Sequence, residues 1–86
     1  MKCSIEISMY PLNKDYKSDI INFIKRLRKH PFISIKTNGM STQVFGDYKR
    51  VMNAITAEMK NTFTKEGKVV FNFKVINKDL SEKPHF

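Results

Sequence analysis

The sequence predicts an α+β sandwich in which two helices pack on one face of a four-stranded antiparallel sheet. Three observations carry this reading. Segments near both ends alternate apolar and polar residues with a period of two. Two internal segments repeat apolar residues at helical spacing, and an Asn-Gly pair divides a central alternating stretch into a hairpin.

From Cys3 to Tyr10 the alternation is strict, with Cys3, Ile5, Ile7 and Met9 on one side and Ser4, Glu6, Ser8 and Tyr10 on the other. This is a half-buried first strand, and Pro11 ends it because proline has no N–H for a ladder. Asp15 stands where an N-cap belongs, before a helix running to about Lys29. Its apolar stripe is Tyr16, Ile20, Phe23, Ile24 and Leu27, and His30-Pro31 stops it. Phe32–Thr37 and Met40–Phe45 flank Asn38-Gly39, the favoured centre of a two-residue type I′ turn. That turn sets Thr37 opposite Met40, Ile35 opposite Thr42 and Ile33 opposite Val44. Gly46 breaks the strand and Asp47 caps a second helix, with Tyr48, Val51, Met52, Ile55, Met59 and Phe63 as its stripe and Gly67 at its end. A last strand, Lys68 to Ile76, turns Val69, Phe71, Phe73 and Val75 inward.

The order strand–helix–strand–strand–helix–strand interleaves two split βαβ units into a sheet of order 4-1-3-2, the ferredoxin-like arrangement. Residues 1–77 form the single domain, and residues 78–86 are a polar tail that a partner would order. Each helix carries one apolar stripe, so both lie on the same sheet face. The opposite face is left without an internal cover.

Composition narrows the function classes. No apolar run approaches the ~18 residues of a membrane span. Met1-Lys2 leads straight into a strand, without the apolar core of a signal peptide, so the expected compartment is the cytoplasm. The lone Cys3 agrees with that and excludes an internal disulfide. The net charge of +8 raises the question of polyanions.

The free sheet face has a polar centre: Ser4, Glu6 and Ser8 from the first strand, Ser41 and Gln43 from the third, and Asn72 from the fourth. Tyr10, Phe32, Phe45, Val70 and Ile76 lie toward its margins. One carboxylate among hydroxyl and amide groups, flanked by aromatic rings, can orient a flat heteroaromatic ligand. Glu6, the only acid among these positions, could accept from a cationic or amino-bearing ligand. The apolar outward groups equally suit contact between sheets of two subunits. Set against both is the ordinary solvated back of an antiparallel sheet.

Ile7-Ser8-Met9-Tyr10-Pro11-Leu12 and Met40-Ser41-Thr42-Gln43-Val44-Phe45-Gly46 resemble the paired signatures of the YkoF-like thiamin/hydroxymethylpyrimidine-binding proteins. The resemblance covers nearly the whole chain in length and element order. It implies a ferredoxin-like domain, assembly into dimers or tetramers, and a non-catalytic role in binding thiamin or its pyrimidine moiety, with no further cofactor. Ser8, Tyr10, Ser41, Thr42 and Gly46 stand on matching motif positions, and of these Thr42 points to the core. With the polar face, the expected ligand-binding set is Glu6, Ser8, Tyr10, Ser41, Gln43, Phe45 and Asn72.

The alternative is an oligomeric interaction module, or an RNA-binding one using the exposed sheet and basic helix surface. RNA-recognition modules of this topology place stacking aromatics in the middle of the first and third strands. Glu6 and Gln43 hold those places here, and Lys25-Arg26-Leu27-Arg28-Lys29-His30 reads as a solvated helix end that complements the helix dipole. Specific nucleic-acid binding therefore ranks low. Enzyme chemistry finds no footing: His30 and His85 read as surface residues with no triad or metal-ligand spacing, and Cys3 points inward. No metal site is expected.

Overall fold

The computed structural model describes residues 1–65 and 67–86. The elements follow the order β1 (Lys2–Pro11), α1 (Tyr16–Arg28), β2 (Ile33–Thr37), β3 (Thr42–Asp47), α2 (Tyr48–Lys65) and β4 (Val69–Ile76). The four strands form one antiparallel sheet of order β2-β3-β1-β4. This is the ferredoxin-like α+β fold that the alternation and helical spacing predict.

The strict alternation of β1 sends Cys3, Ile5, Ile7 and Met9 into the core, where Phe23 and Leu27 of α1 and Val51, Ala54 and Ile55 of α2 meet them. Phe71 of β4 joins this layer through aromatic contacts with Phe23, at a centroid distance of 5.0 Å, and with Phe63, at 5.5 Å. Tyr16, Tyr48 and Phe63 end the helical stripes half-exposed. Phe73 and Val75 pair with the core residues Ile7 and Ile5 and so share their face, yet both are exposed. The helical layer covers β1 and its neighbours and stops short of this part of the edge strand.

The β2–β3 hairpin differs from its predicted form. Thr37 pairs with Thr42, Ile35 with Val44 and Ile33 with Gly46, a register two residues from that of a two-residue turn. Residues 38–41 form a four-residue loop instead, closed by Asn38 N–H donating to the Ser41 carbonyl at 3.1 Å. Asn38 Oδ1 accepts from the backbone of Met40 at 2.8 Å and of Ser41 at 3.2 Å. This side-chain closure replaces the positive-φ turn, and neither Asn38 nor Gly39 adopts positive φ. Because the shift is an even number of residues, every side chain keeps its face. Met40 leaves the strand for the loop, and the strand continues through Gly46 to Asp47.

Gly46 continues the ladder at φ +154°, where an added Cβ would lie 3.2 Å from both the Phe32 carbonyl and Val51 Cγ2. The strand needs glycine for close approach rather than for ending. Burial raises the Asp47 carboxyl, but the Met1 ammonium and the backbone amides of Arg50 and Lys49 at the start of α2 hold it below its ordinary range, as suits an N-cap position. Asp15, in contrast, occupies the cap position of α1 without a side-chain capping bond.

Between the helices lies a polar cluster absent from the predicted stripes. Glu58, buried on α2, accepts from Arg26 Nε at 3.0 Å and Asn61 Nδ2 at 3.0 Å, and its other oxygen lies 2.7 Å from His30 Nε2. Arg26 also donates to Thr62 Oγ1 at 2.7 Å. His30, two residues past the end of α1, is therefore tied to α2 through Glu58 rather than a free surface histidine.

Candidate functional site

Strand β1 is longer than its neighbour on one side. It pairs with β3 only as far as Ile7↔Thr42, whereas its pairing with β4 continues to Pro11↔Val69. Residues Ser8 to Pro11 thus have a strand neighbour on the β4 side alone. Leu12 N–H donates to the Lys68 carbonyl, at 3.0 Å, on that same side. Successive residues of a strand aim their N–H and C=O groups at opposite neighbours, so those of Met9 face the unpaired flank.

A cavity of about 530 Å³ opens along this flank, between the end of β1, helix α1 and the 38–41 loop. Ser8 and Tyr10 line it from β1, Tyr16 and Ile20 from α1, and Met40 and Ser41 from the loop. The walls are mainly apolar, with hydroxyls at few points, as suits a small flat ligand. The two stretches Ile7–Leu12 and Met40–Gly46, 28 residues apart in sequence at their nearest ends, both contribute to it.

Behind Ser41 stands the carboxylate of Glu6. Ser41 Oγ donates to Glu6 Oε2 at 2.9 Å, and Lys74 Nζ pairs with Glu6 Oε1 at 3.0 Å. Lys74 and then Ser41 hold the Glu6 carboxyl below its ordinary range. Gln43 Nε2 donates to Ser41 Oγ at 3.4 Å. The direction of these bonds has a chemical result. With its proton committed to Glu6, the Ser41 oxygen presents lone pairs, and it can accept from a ligand N–H.

The expected set is divided between two places. Ser8, Tyr10 and Ser41 surround the cavity at the end of β1. Glu6, Gln43 and Phe45 line a second cavity of about 440 Å³ on the outward sheet face, together with Lys74 and Leu80. Asn72, opposite Ser8 in the β1–β4 register, lines neither. Ser41 touches both groups, lining the first cavity and bonding to Glu6 in the second. Asn38 and Met40 belong to the site through the loop, and only the Asx-turn chemistry of Asn38 signals this in the sequence. Among the described residues no group of three His, Cys, Asp or Glu side chains could hold a metal ion, and no helix is long and apolar enough to cross a membrane.

The model of the YKOF-related family matches residues 2–77, which spans every strand and both helices. The chain belongs to the YKOF-related family. Solved structures similar to this family member include a hypothetical protein of Methanocaldococcus jannascii, MJ1052, at 22% identity and TM-score 0.78, covering 98% of this chain and 88% of that one. Protein SP2199 of Streptococcus pneumoniae superposes at TM-score 0.84 with 18% identity, over 93% of this chain and 90% of that one. A Thermotoga maritima protein, TM0486, whose name gives it a candidate role in thiamine biosynthesis or salvage, superposes at TM-score 0.80 with 15% identity, over 91% and 85% of the two chains. At these identities the likeness shows a shared fold. A search of curated proteins gives no significant match.

Proposed function

We propose that this YKOF-related chain is a non-catalytic binding protein for thiamin or its hydroxymethylpyrimidine moiety, with the ring in the cavity at the end of β1. The observation that carries the reading is the convergence of the two family-signature stretches, Ile7–Leu12 and Met40–Gly46, on that one cavity. An aminopyrimidine is flat, carries an amino donor and has ring-nitrogen acceptors. The Ser41 oxygen suits the amino group, the Met9 backbone edge suits the ring edge, and Tyr10 and Tyr16 offer aromatic faces. The name of the Thermotoga maritima neighbour points to the same chemistry. Glu6 acts here as the residue that orients Ser41, since its carboxylate already holds Lys74. Self-association as a dimer or tetramer, with the exposed sheet surfaces as contact, belongs to the same proposal, as does a cytoplasmic place of work.

Calorimetric titration with thiamin and with hydroxymethylpyrimidine tests this. Saturable heat is expected, and ligand at ~100 times its dissociation constant should add ~2.7 kcal/mol to stability. No heat and no stabilisation at millimolar ligand would remove the reading.

A further inference from the structure

The sequence shows no periodicity beyond residue 77, yet the chain there lies on the sheet. From the end of β4 it crosses the outward face over β1 to β2. Ser4 Oγ donates to the Lys78 carbonyl at 2.7 Å and accepts from Leu80 N–H at 2.8 Å. Lys36 Nζ donates to the Ser81 carbonyl at 2.6 Å, and the same ammonium lies 5.6 Å from the centroid of the Phe45 ring. Phe45 pairs with Ser4 and Ser34 on the face away from the helices, and it is nevertheless buried. This segment is the cover that the outward face was expected to lack.

The covered ground has a definite chemistry. A cavity of about 300 Å³ lies beside the segment, with Lys2, Ser34, Phe45, Asp79 and Ser81 in its walls. The Asp79 carboxyl is held below its ordinary range, first by the Ser81 hydroxyl and amide and further by the charges of Lys2 and Lys36. The Asp79 carboxylate thus shares this cavity with Lys2 and the Phe45 ring, and Lys36 is anchored two residues further on, at the Ser81 carbonyl. The segment's hold is slight. A few hydrogen bonds to side chains are set against the entropy of ordering the segment, two quantities of similar size. Residues 82–86 beyond it are exposed.

We propose that residues 78–81 form a releasable strap, and that the ground beneath it is a binding site for a planar aromatic anion. Lys2 and Lys36 supply the charge, the Phe45 ring supplies a stacking surface, and the Ser34 hydroxyl supplies a hydrogen bond once the strap lifts, while Ser4 serves only to anchor the strap. In the closed form Asp79 is the internal occupant and competes with the ligand. This site is separate from the cavity at the end of β1 and takes a ligand of opposite charge to thiamin.

The probe is 8-anilinonaphthalene-1-sulfonate, titrated into the full chain by fluorescence. Ser4→Ala removes both Ser4 anchors, so hydrogen exchange at the Leu80 amide should accelerate while that of Val44 stays slow. The same variant should bind the probe about tenfold more tightly than the parent chain. Asp79→Asn, which takes away the internal anion, should act in the same direction. Lys36→Ala, at an exposed position that cannot unfold the core, should reverse the gain in the Ser4→Ala background. Equal probe affinity in the parent, Ser4→Ala and Asp79→Asn chains would overturn the proposal, as would indifference of the loosened chain to Lys36→Ala. Thiamin titration of these variants reads the other cavity, so failure at one site is distinguishable from failure at the other.

Discussion

The Ser41 hydroxyl donates to the Glu6 carboxylate at 2.9 Å and so ties the β2–β3 loop to the middle of β1. One bond fixes the position of the loop and the direction in which the Ser41 oxygen can act.

If that oxygen receives the ligand, Ser41→Ala should weaken binding of hydroxymethylpyrimidine by about ten- to thirtyfold, the cost of one hydrogen bond to an oriented acceptor. Glu6→Gln should weaken it less, because an amide can still orient the hydroxyl. Lys74→Gln frees the Glu6 charge and should raise the affinity for cationic thiamin relative to the neutral pyrimidine. Calorimetry on the three variants, with circular dichroism to check the fold, reads these differences.

Asn38→Ala removes the acceptor that closes the loop on Met40 and Ser41. A loss of about 1 kcal/mol in stability is expected from urea unfolding. Ligand affinity should fall as well, since the loop carries Ser41. Asn38→Asp, which keeps the acceptor, should restore most of both.

Gly46→Ala puts a methyl 3.2 Å from the Phe32 carbonyl and Val51 Cγ2, at a backbone angle that L residues rarely adopt. A loss of about 1–3 kcal/mol should appear as a lower urea midpoint with unchanged slope. Gly39→Ala is the control, because open space surrounds that position, and its effect should be small.

Glu58 makes stability depend on acid. Burial pushes its carboxyl pKa upward, but hydrogen bonds from His30, Asn61 and Arg26 outweigh burial and hold it below the ordinary value of 4.5. The contribution is therefore full above the unfolded value and is lost as pH falls through the lower folded one. Urea unfolding of the parent chain and Glu58→Gln should show a stability difference near neutral pH that shrinks as the solution is taken below about pH 4.

The alternation of β1 and the two helical stripes were enough to define the layers, because burial on one face leaves a mark at every second or every third and fourth residue. The hairpin shows where such marks run out. Asn38-Gly39 pointed to a tight turn, but a register moved by two residues leaves all faces alike, so the pattern around it could not choose. Asn38 chose, by bonding to its own loop. Glu58 and Thr62 were hidden for another reason. They are polar residues buried by pairing with Arg26 of the other helix, a relation between distant residues that no local period records. Of the expected ligand-binding residues, Ser8, Tyr10 and Ser41 line one candidate cavity, while Glu6, Gln43 and Phe45 line its neighbour and Asn72 neither. The path of residues 78–81 over Ser4 had no signal in sequence at all.

Strand β4 is an edge strand of the sheet. Val-Val-Phe-Asn-Phe-Lys-Val-Ile lies at the sheet's edge, and Val70, Phe73, Val75 and Ile76 are exposed across its two faces. Such an edge invites copies of the chain to stack, and Lys74 is the only charge along it. Opposing such stacking is mutual repulsion at a net charge of +8, which dissolved salt screens beyond about 8 Å at physiological ionic strength. Colloidal behaviour should therefore turn on ionic strength. Added salt should favour contact between β4 edges beyond any defined dimer or tetramer, and dilute buffer should oppose it.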